Sequence, residues 1–196
     1  MATKISKKEL KTVPLTAYAA IRSELKTGDL IFCSGEYIFS YIIEGLTRSA
    51  WSHVAVIYKD EALDRILVLE AEPFIGVRMI PLSTYLTDYK GRSKPYEGQI
   101  VLSKFATPLS MEDINQGISF GLDELTRPYD MLELARIIIR MAFKISRRAD
   151  NRSYMCSEFV REVLVRGNVD MPYQDTYISP DGIWMDERVK LTHRIL

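Results

Sequence analysis

The stretch that decides the fold reads Trp51-Ser52-His53-Val54-Ala55-Val56-Ile57-Tyr58, then a polar segment Lys59 to Asp64, then Arg65-Ile66-Leu67-Val68-Leu69-Glu70-Ala71. Two β-branched, largely apolar runs flanking a polar turn predict an antiparallel hairpin. Alternation puts His53, Ala55 and Ile57 on one face of the first strand, and Ile66, Val68 and Glu70 on one face of the second. A register that sets Ile57 against Ile66 also sets Ala55 against Val68 and His53 against Glu70, with Cβ atoms about 4.5–5.5 Å apart. A carboxylate at that range fixes the imidazole tautomer and raises its basicity. A slip of two residues makes the contact diagonal. Glu72 shares the parity of Glu70, so alternation leaves both eligible. Glu70 takes precedence because Glu72 abuts Pro73 at the expected strand end. A half-buried histidine satisfied by any nearby acceptor fits the same residues.

Around this hairpin the chain divides into strands first and helices later. Leu15 to Lys26 reads as a helix stopped by Thr27 and Gly28, Asp29 to Cys33 as a strand, and Tyr37 to Thr47 as a helix. Val77 to Ile80 and Gln99 to Leu102 are strands, and Pro81 opens a helical turn through Leu86. Ser110 caps a helix running to Leu125, Leu132 to Ile145 is a second helix, and Met155 to Arg166 a third, stopped by Gly167 in the left-handed conformation. This segregation predicts an α+β class. No repeat or linker divides the chain, so residues 1–196 are expected to form a single domain. A helical extension occupies 1–24 and a surface tail 168–196.

The composition narrows the chemistry. Lys plus Arg and Asp plus Glu each number 26 among 196 residues, for a net charge of zero, which argues against a charge-driven nucleic-acid partner. Two cysteines and two histidines are too few for a disulfide framework or a zinc cluster, so neither metal nor cofactor is expected. With no secretory signal and no spanning segment in view, the expected compartment is the cytoplasm. Chemistry must then fall to one thiol and one imidazole.

Cys156 has the better setting of the two thiols. In Ser153-Tyr154-Met155-Cys156-Ser157-Glu158, Ser153 as N-cap places Cys156 in the first helical turn. There unpaired backbone N–H groups and the helix dipole favour a thiolate and can hold an oxyanion. Cys156, Val160, Val163 and Gly167 share one inward face. A buried, space-filling thiol is the plainer alternative. Cys33 sits in a strand without a helix terminus and reads as core, and His193, near the chain end, reads as solvated.

Three motifs in order, Leu25-Lys26-Thr27-Gly28-Asp29-Leu30-Ile31-Phe32, Trp51 to Tyr58 with Val68-Leu69-Glu70-Ala71, and Tyr154-Met155-Cys156-Ser157-Glu158-Phe159-Val160, resemble the circularly permuted papain-fold enzymes of the NlpC superfamily. The resemblance is in particular to the YiiX-like cysteine amidases or peptidases, and Pro128-Tyr129-Asp130 adds a further match. The resemblance implies a half-barrel of antiparallel strands packed on helices. It implies a triad of Cys156 as nucleophile, His53 as base and Glu70 as the group orienting the imidazole. Tyr129 and Asp130 match a family motif that fits a polar wall of the substrate site and a structural turn equally, and Tyr154 is implied near the oxyanion, although a packing aromatic suits it better. The implied substrate is a small peptide or amino-acid amide. A lipid acyl hydrolase or acyltransferase using the same triad, and a non-catalytic papain-like peptide-binding module, are the alternatives. The basic, apolar segment Leu132 to Arg148 bears on the lipid version, because a basic amphipathic helix can rest on a membrane surface.

Overall fold

The computed structural model describes residues 4–35, 49–129, 155–171 and 178–196. In chain order these form α1 (Lys7–Leu10), α2 (Tyr18–Ile21) with a 3-10 turn Arg22–Glu24, β1 (Leu30–Gly35), β2 (His53–Asp60), β3 (Arg65–Glu72) and β4 (Gly76–Pro81). They continue with α3 (Leu82–Thr87), a 3-10 turn Tyr89–Gly91, β5 (Gly98–Phe105), α4 (Met111–Asp123), α5 (Cys156–Arg166), α6 (Pro180–Trp184) and β6 (Val189–Arg194). One six-stranded antiparallel sheet, in the order β4-β3-β2-β1-β5-β6, carries the helices, which is the expected α+β arrangement. Among the described residues no helix is long and apolar enough to cross a membrane.

Alternation along the strands builds two cores, one on each face of the sheet. Phe32, Val54, Val56, Leu69 and Ala71 meet Phe159, Val160 and Val163 of α5 and Ile114 and Ile118 of α4. On the other face Ile31, Cys33, Ala55, Ile57 and Val68 meet Leu82 and Tyr85 of α3, with Tyr89 and Tyr96. The three tyrosines pack ring on ring, with centroids 4.8–5.8 Å apart.

Several expectations change. The hairpin exists, but its register pairs Ile57 with Val68 and Lys59 with Ile66, two residues from the anticipated alignment. The strands run on through Asp60 and Arg65, so the turn is only Glu61 to Asp64, closed by the Leu63 N–H donating to Asp60 Oδ1 at 2.9 Å. The helix expected over Leu15 to Lys26 shrinks to α2 and its 3-10 turn, because the backbone at Leu15 and Thr16 pairs instead with Arg194. The tail from Asn168 is not confined to the surface: β6 extends the sheet, and Trp184 of α6 packs edge-on against Phe32 at 5.2 Å and beside Trp51 at 4.7 Å. His193 therefore sits half-buried on β6 opposite Leu102, with Nε2 3.6 Å from Glu24 Oε2. Its partner comes from a 3-10 turn, beyond the reach of strand parity. The helices expected over Tyr37 to Thr47 and Leu132 to Ile145 lie outside the described residues.

The crossing of α4 and α5 sets where Cys156 stands. A Cβ on Gly117 would come within 2.0 Å of the Val163 carbonyl oxygen, and one on Gly167 within 3.2 Å of Ile114 Cα. Glycine at 117 therefore serves close helix approach. Gly167 does likewise and is not the left-handed stop (φ −85°). That conformation falls on Asn168 (φ 53°), whose side-chain amide donates to Asp113 Oδ1 at 2.6 Å. Gly117→Ala is expected to push α5 off α4 and cost about 2 kcal/mol or more, a Tm fall of roughly 4–8 °C in a thermal melt. Ser119→Ala, on the exposed side of the same helix, should leave Tm within about a degree.

Candidate active site

His53 opens β2 and Glu70 lies near the end of β3, so the antiparallel pairing brings both to one end of the sheet. With the shifted register the contact is diagonal, and the long glutamate side chain closes it: His53 Nε2 and Glu70 Oε2 are 2.5 Å apart. Glu70 is fully buried and His53 nearly so, at 9% exposure.

A bare carboxylate at that depth would be prohibitively costly, so its partners matter. β4 runs beside β3 with Arg78 directly opposite Glu70. Arg78 donates through Nε at 2.8 Å to Glu70 Oε1, with Nη2 also 2.8 Å from that oxygen. The Tyr85 hydroxyl, from α3, donates to Oε2. Glu72, two residues on, is held separately by Lys90 and by the Tyr89 hydroxyl at 3.2 Å, with Arg78 Nη2 3.7 Å away. Glu70 is therefore the carboxylate that meets the imidazole. Burial pushes the Glu70 carboxyl up, but the His53 hydrogen bond and charge, Arg78 and Tyr85 together bring it down to about 2. It is an anion at neutral pH.

Cys156 arrives from the other layer. It is the first residue of α5, whose Phe159, Val160 and Val163 pack on the opposite face of β2 and β3. Met155, not Ser153, is the N-cap residue, with extended backbone (φ −88°, ψ 159°) and its N–H donated to Glu158 Oε2 at 3.3 Å. An acidic side chain three residues into the helix thus supplies the acceptor for the cap backbone, and Ser153 lies outside the described residues. Cys156 is 4% exposed and lies near enough to His53 for the two groups to interact. With Nε2 engaged by Glu70, Nδ1 is the ring nitrogen left for the sulfur. Burial opposes a charged His53 ring, yet the hydrogen bonds and charges of Cys156 and Glu70 hold its proton affinity well above the ordinary histidine value. Such an ordered chain of thiol, imidazole and carboxylate can store a proton on the ring while the sulfur acts as nucleophile.

The structure thus brings Cys156, His53 and Glu70 together. Cys33 is fully buried in β1 opposite His53, and burial pushes its thiol well up, so it stays protonated. Tyr129, 7% exposed, belongs to the apolar core on the α5 side. Asp130 and Tyr154 lie outside the described residues, as does the basic segment 132–148. Sequence reasoning passed over Arg78, Tyr85, Tyr89 and Lys90. One signal was available: Arg78 is a lone cation inside the apolar run Val77-Arg78-Met79-Ile80.

His53, Glu70 and Glu72 also have potential ligand atoms within 4.8 Å of one another, a spacing a divalent cation can use. Their negative charge is already matched by Arg78 and Lys90, and the Tyr85 and Tyr89 hydroxyls take further acceptor positions. A metal ion would have to displace two cationic side chains from this buried cluster, so the residues present do not fit one.

Comparison with known proteins follows the same geometry. The crystal structure titled metalloprotein yiiX from Escherichia coli O157:H7 superposes with a TM-score of 0.60 at 19% identity, covering 86% of this chain and 97% of that one, which establishes a shared fold. No functionally curated protein matches. Residues 24–186 match the profile described as permuted papain-like amidase enzyme, YaeF/YiiX, C92 family. With the histidine strand ahead of the cysteine helix along the chain, as a permuted papain fold requires, this protein belongs to the permuted papain-like amidase family.

Proposed function

We propose that the protein is a cysteine hydrolase that cleaves an amide bond in a small peptide or amino-acid amide, with Cys156 as nucleophile, His53 as the proton shuttle and Glu70 as the group that orients His53. The observation that carries this reading is His53 itself, joined to Glu70 at 2.5 Å and coupled electrostatically to Cys156 at the start of α5. Family membership in the amidases supplies the bond class.

In the proposed reaction the Cys156 sulfur, its proton passed to His53, attacks the substrate carbonyl carbon. Negative charge develops on the carbonyl oxygen, and the N–H groups of the first turn of α5, which have no acceptor inside the helix, are the nearest donors for it. The imidazolium then gives its proton to the leaving nitrogen, and the C–N bond breaks to leave a thioester. Water, losing its proton to His53, attacks the thioester and releases the acid and the free thiol. Glu70 stays ionised throughout and keeps the ring aligned, a role that calls for a fixed anion.

Steady-state hydrolysis of a panel of aminoacyl and dipeptidyl amides tests the reading. Cys156→Ala should lose about 10³-fold or more in kcat/KM, while Cys33→Ser keeps near-normal rates; full activity in Cys156→Ala overturns the proposal. A panel of lipid amides and esters run alongside covers the lipid version, and faster turnover there than on any peptide would replace the peptide assignment. The pH profile gives a second check. Because the surroundings raise the proton affinity of His53, the imidazolium persists above the ordinary histidine range and is lost as pH rises through that raised value. Glu70→Gln removes the charge that supports it, so the alkaline limb of kcat/KM should move to lower pH and the rate fall by roughly 10²–10⁴-fold. An unchanged limb would mean that Glu70 does not set the state of the ring.

A further inference from the structure

We propose that Arg78 is a positioning residue for this site: its guanidinium fixes the Glu70 carboxylate so that Oε2 is presented to His53, and it does so by bridging Glu70 and Glu72. The proposal rests on the hydrolase reading for its consequence and on the geometry of the buried cluster for its substance.

The donors around Glu70 divide between its two oxygens. Among the described residues Oε1 faces Arg78, with Nε and Nη2 both at 2.8 Å, while Oε2 receives His53 Nε2 and the Tyr85 hydroxyl. A carboxylate offers about four lone-pair positions, and among the described residues three hydrogen-bonding groups occupy them, Arg78 Nε, His53 Nε2 and the Tyr85 hydroxyl, with Arg78 Nη2 in ion-pair range. Rotation of the carboxylate would break the Arg78 contacts and the His53 bond together. Arg78 comes from β4, paired residue for residue with β3, so its backbone is tied to that of Glu70 by the sheet ladder. Tyr85 comes from α3 and is fully buried against Tyr89 and Tyr96.

Charge points the same way. Among the described residues two buried carboxylates, Glu70 and Glu72, face two cations, Arg78 and Lys90, so this set is neutral before His53 is considered. Among the described residues the charged groups near Glu70 are His53 from β2, Glu72 from β3, Arg78 from β4 and Lys90 through Glu72, with the Tyr85 phenol and the Cys33 thiol as buried neighbours. A His53 imidazolium paired with a Cys156 thiolate adds no net charge. Take away Arg78 and one negative charge is left over in a buried site. The direct relief is for Glu70 to take up a proton as pH falls, and the imidazolium then loses its anion. Lysine at 78 would restore the charge but present a point donor where the guanidinium presents a fork.

The test measures alkylation of Cys156 by iodoacetamide, resolved by peptide mass spectrometry, from pH 4.5 to pH 9. It compares wild type with Arg78→Gln, Arg78→Lys and Tyr85→Phe. In Arg78→Gln the acid limb should move to higher pH, so that the rate falls about tenfold or more at the acid end while staying within about threefold of wild type near pH 8. Arg78→Lys should recover most of that loss, and Tyr85→Phe should lower the rate a few-fold across the range. An arginine needed only for folding would lower Tm and leave the limb in place, so coincident acid limbs in Arg78→Gln and wild type overturn the proposal. Should Arg78→Gln fail to fold, Arg78→Lys and Tyr85→Phe carry the test, and profiles matching wild type in both overturn it. Amide turnover that survives in Cys156→Ala would remove the hydrolase reading alone. In that event the ¹⁵N titration of the His53 ring, altered in Arg78→Gln or indifferent to it, still decides the part played by Arg78.

Discussion

A carboxylate with no exposed surface organises this protein. Glu70 can remain an anion inside the sheet only if cations and donors converge on it from several elements, because water cannot reach it. His53 comes from β2, Arg78 from β4 and Tyr85 from α3, so one group ties together three elements that flank β3. The same convergence explains why the cluster belongs to the protein's own cations. A site that has to neutralise two buried glutamates with Arg78 and Lys90 is built around fixed charge, not around an exchangeable ion.

The nucleophile depends on a second constraint, the distance between two helices. Glycine at 117 lets α4 approach the Val163 carbonyl of α5 more closely than any side chain would permit, and Gly167 seats the far end of α5 on Ile114. The resulting pair lies on the face of the sheet away from Tyr85, yet the start of α5 meets the start of β2, where His53 stands. Thiol and carboxylate thus approach the imidazole from opposite layers. An apolar core on each face holds the layers in place, and for that reason the polar chemistry is confined to the end of the sheet.

Permutation shows in the order of parts. His53 and Glu70 precede Cys156 along the chain by about half its length, and they meet because β2 and β3 are adjacent antiparallel strands on which α5 packs. The final segment closes the architecture: β6 pairs with β5 and Trp184 enters the core beside Phe32 and Trp51. Read as a polar, proline-rich tail, that segment carries only a faint strand signal, since only Val189-Lys190-Leu191 of β6 alternates and Thr192-His193-Arg194 is polar throughout. Its place is decided by the strand it joins.

What the sequence determined by itself was whatever local periodicity encodes. The alternation of Ser52 to Tyr58 and Arg65 to Ala71 dictates a hairpin with His53 and Glu70 on one face, and the residues before Phe159 and Val160 put Cys156 in the first turn of a helix. Those facts, with the order of the motifs, were enough for the fold class and for three residues of the candidate site. Tertiary structure decided the register, two residues away from the simplest alignment, because side-chain parity is unchanged by a shift of two and only the ladder distinguishes them. It also decided that Glu70 and not Glu72 meets the imidazole, and that Arg78, Tyr85 and Lys90 complete the cluster. Long-range charge pairing leaves no periodic trace along a chain, so the partners of a buried anion become visible only when the strands that carry them are side by side.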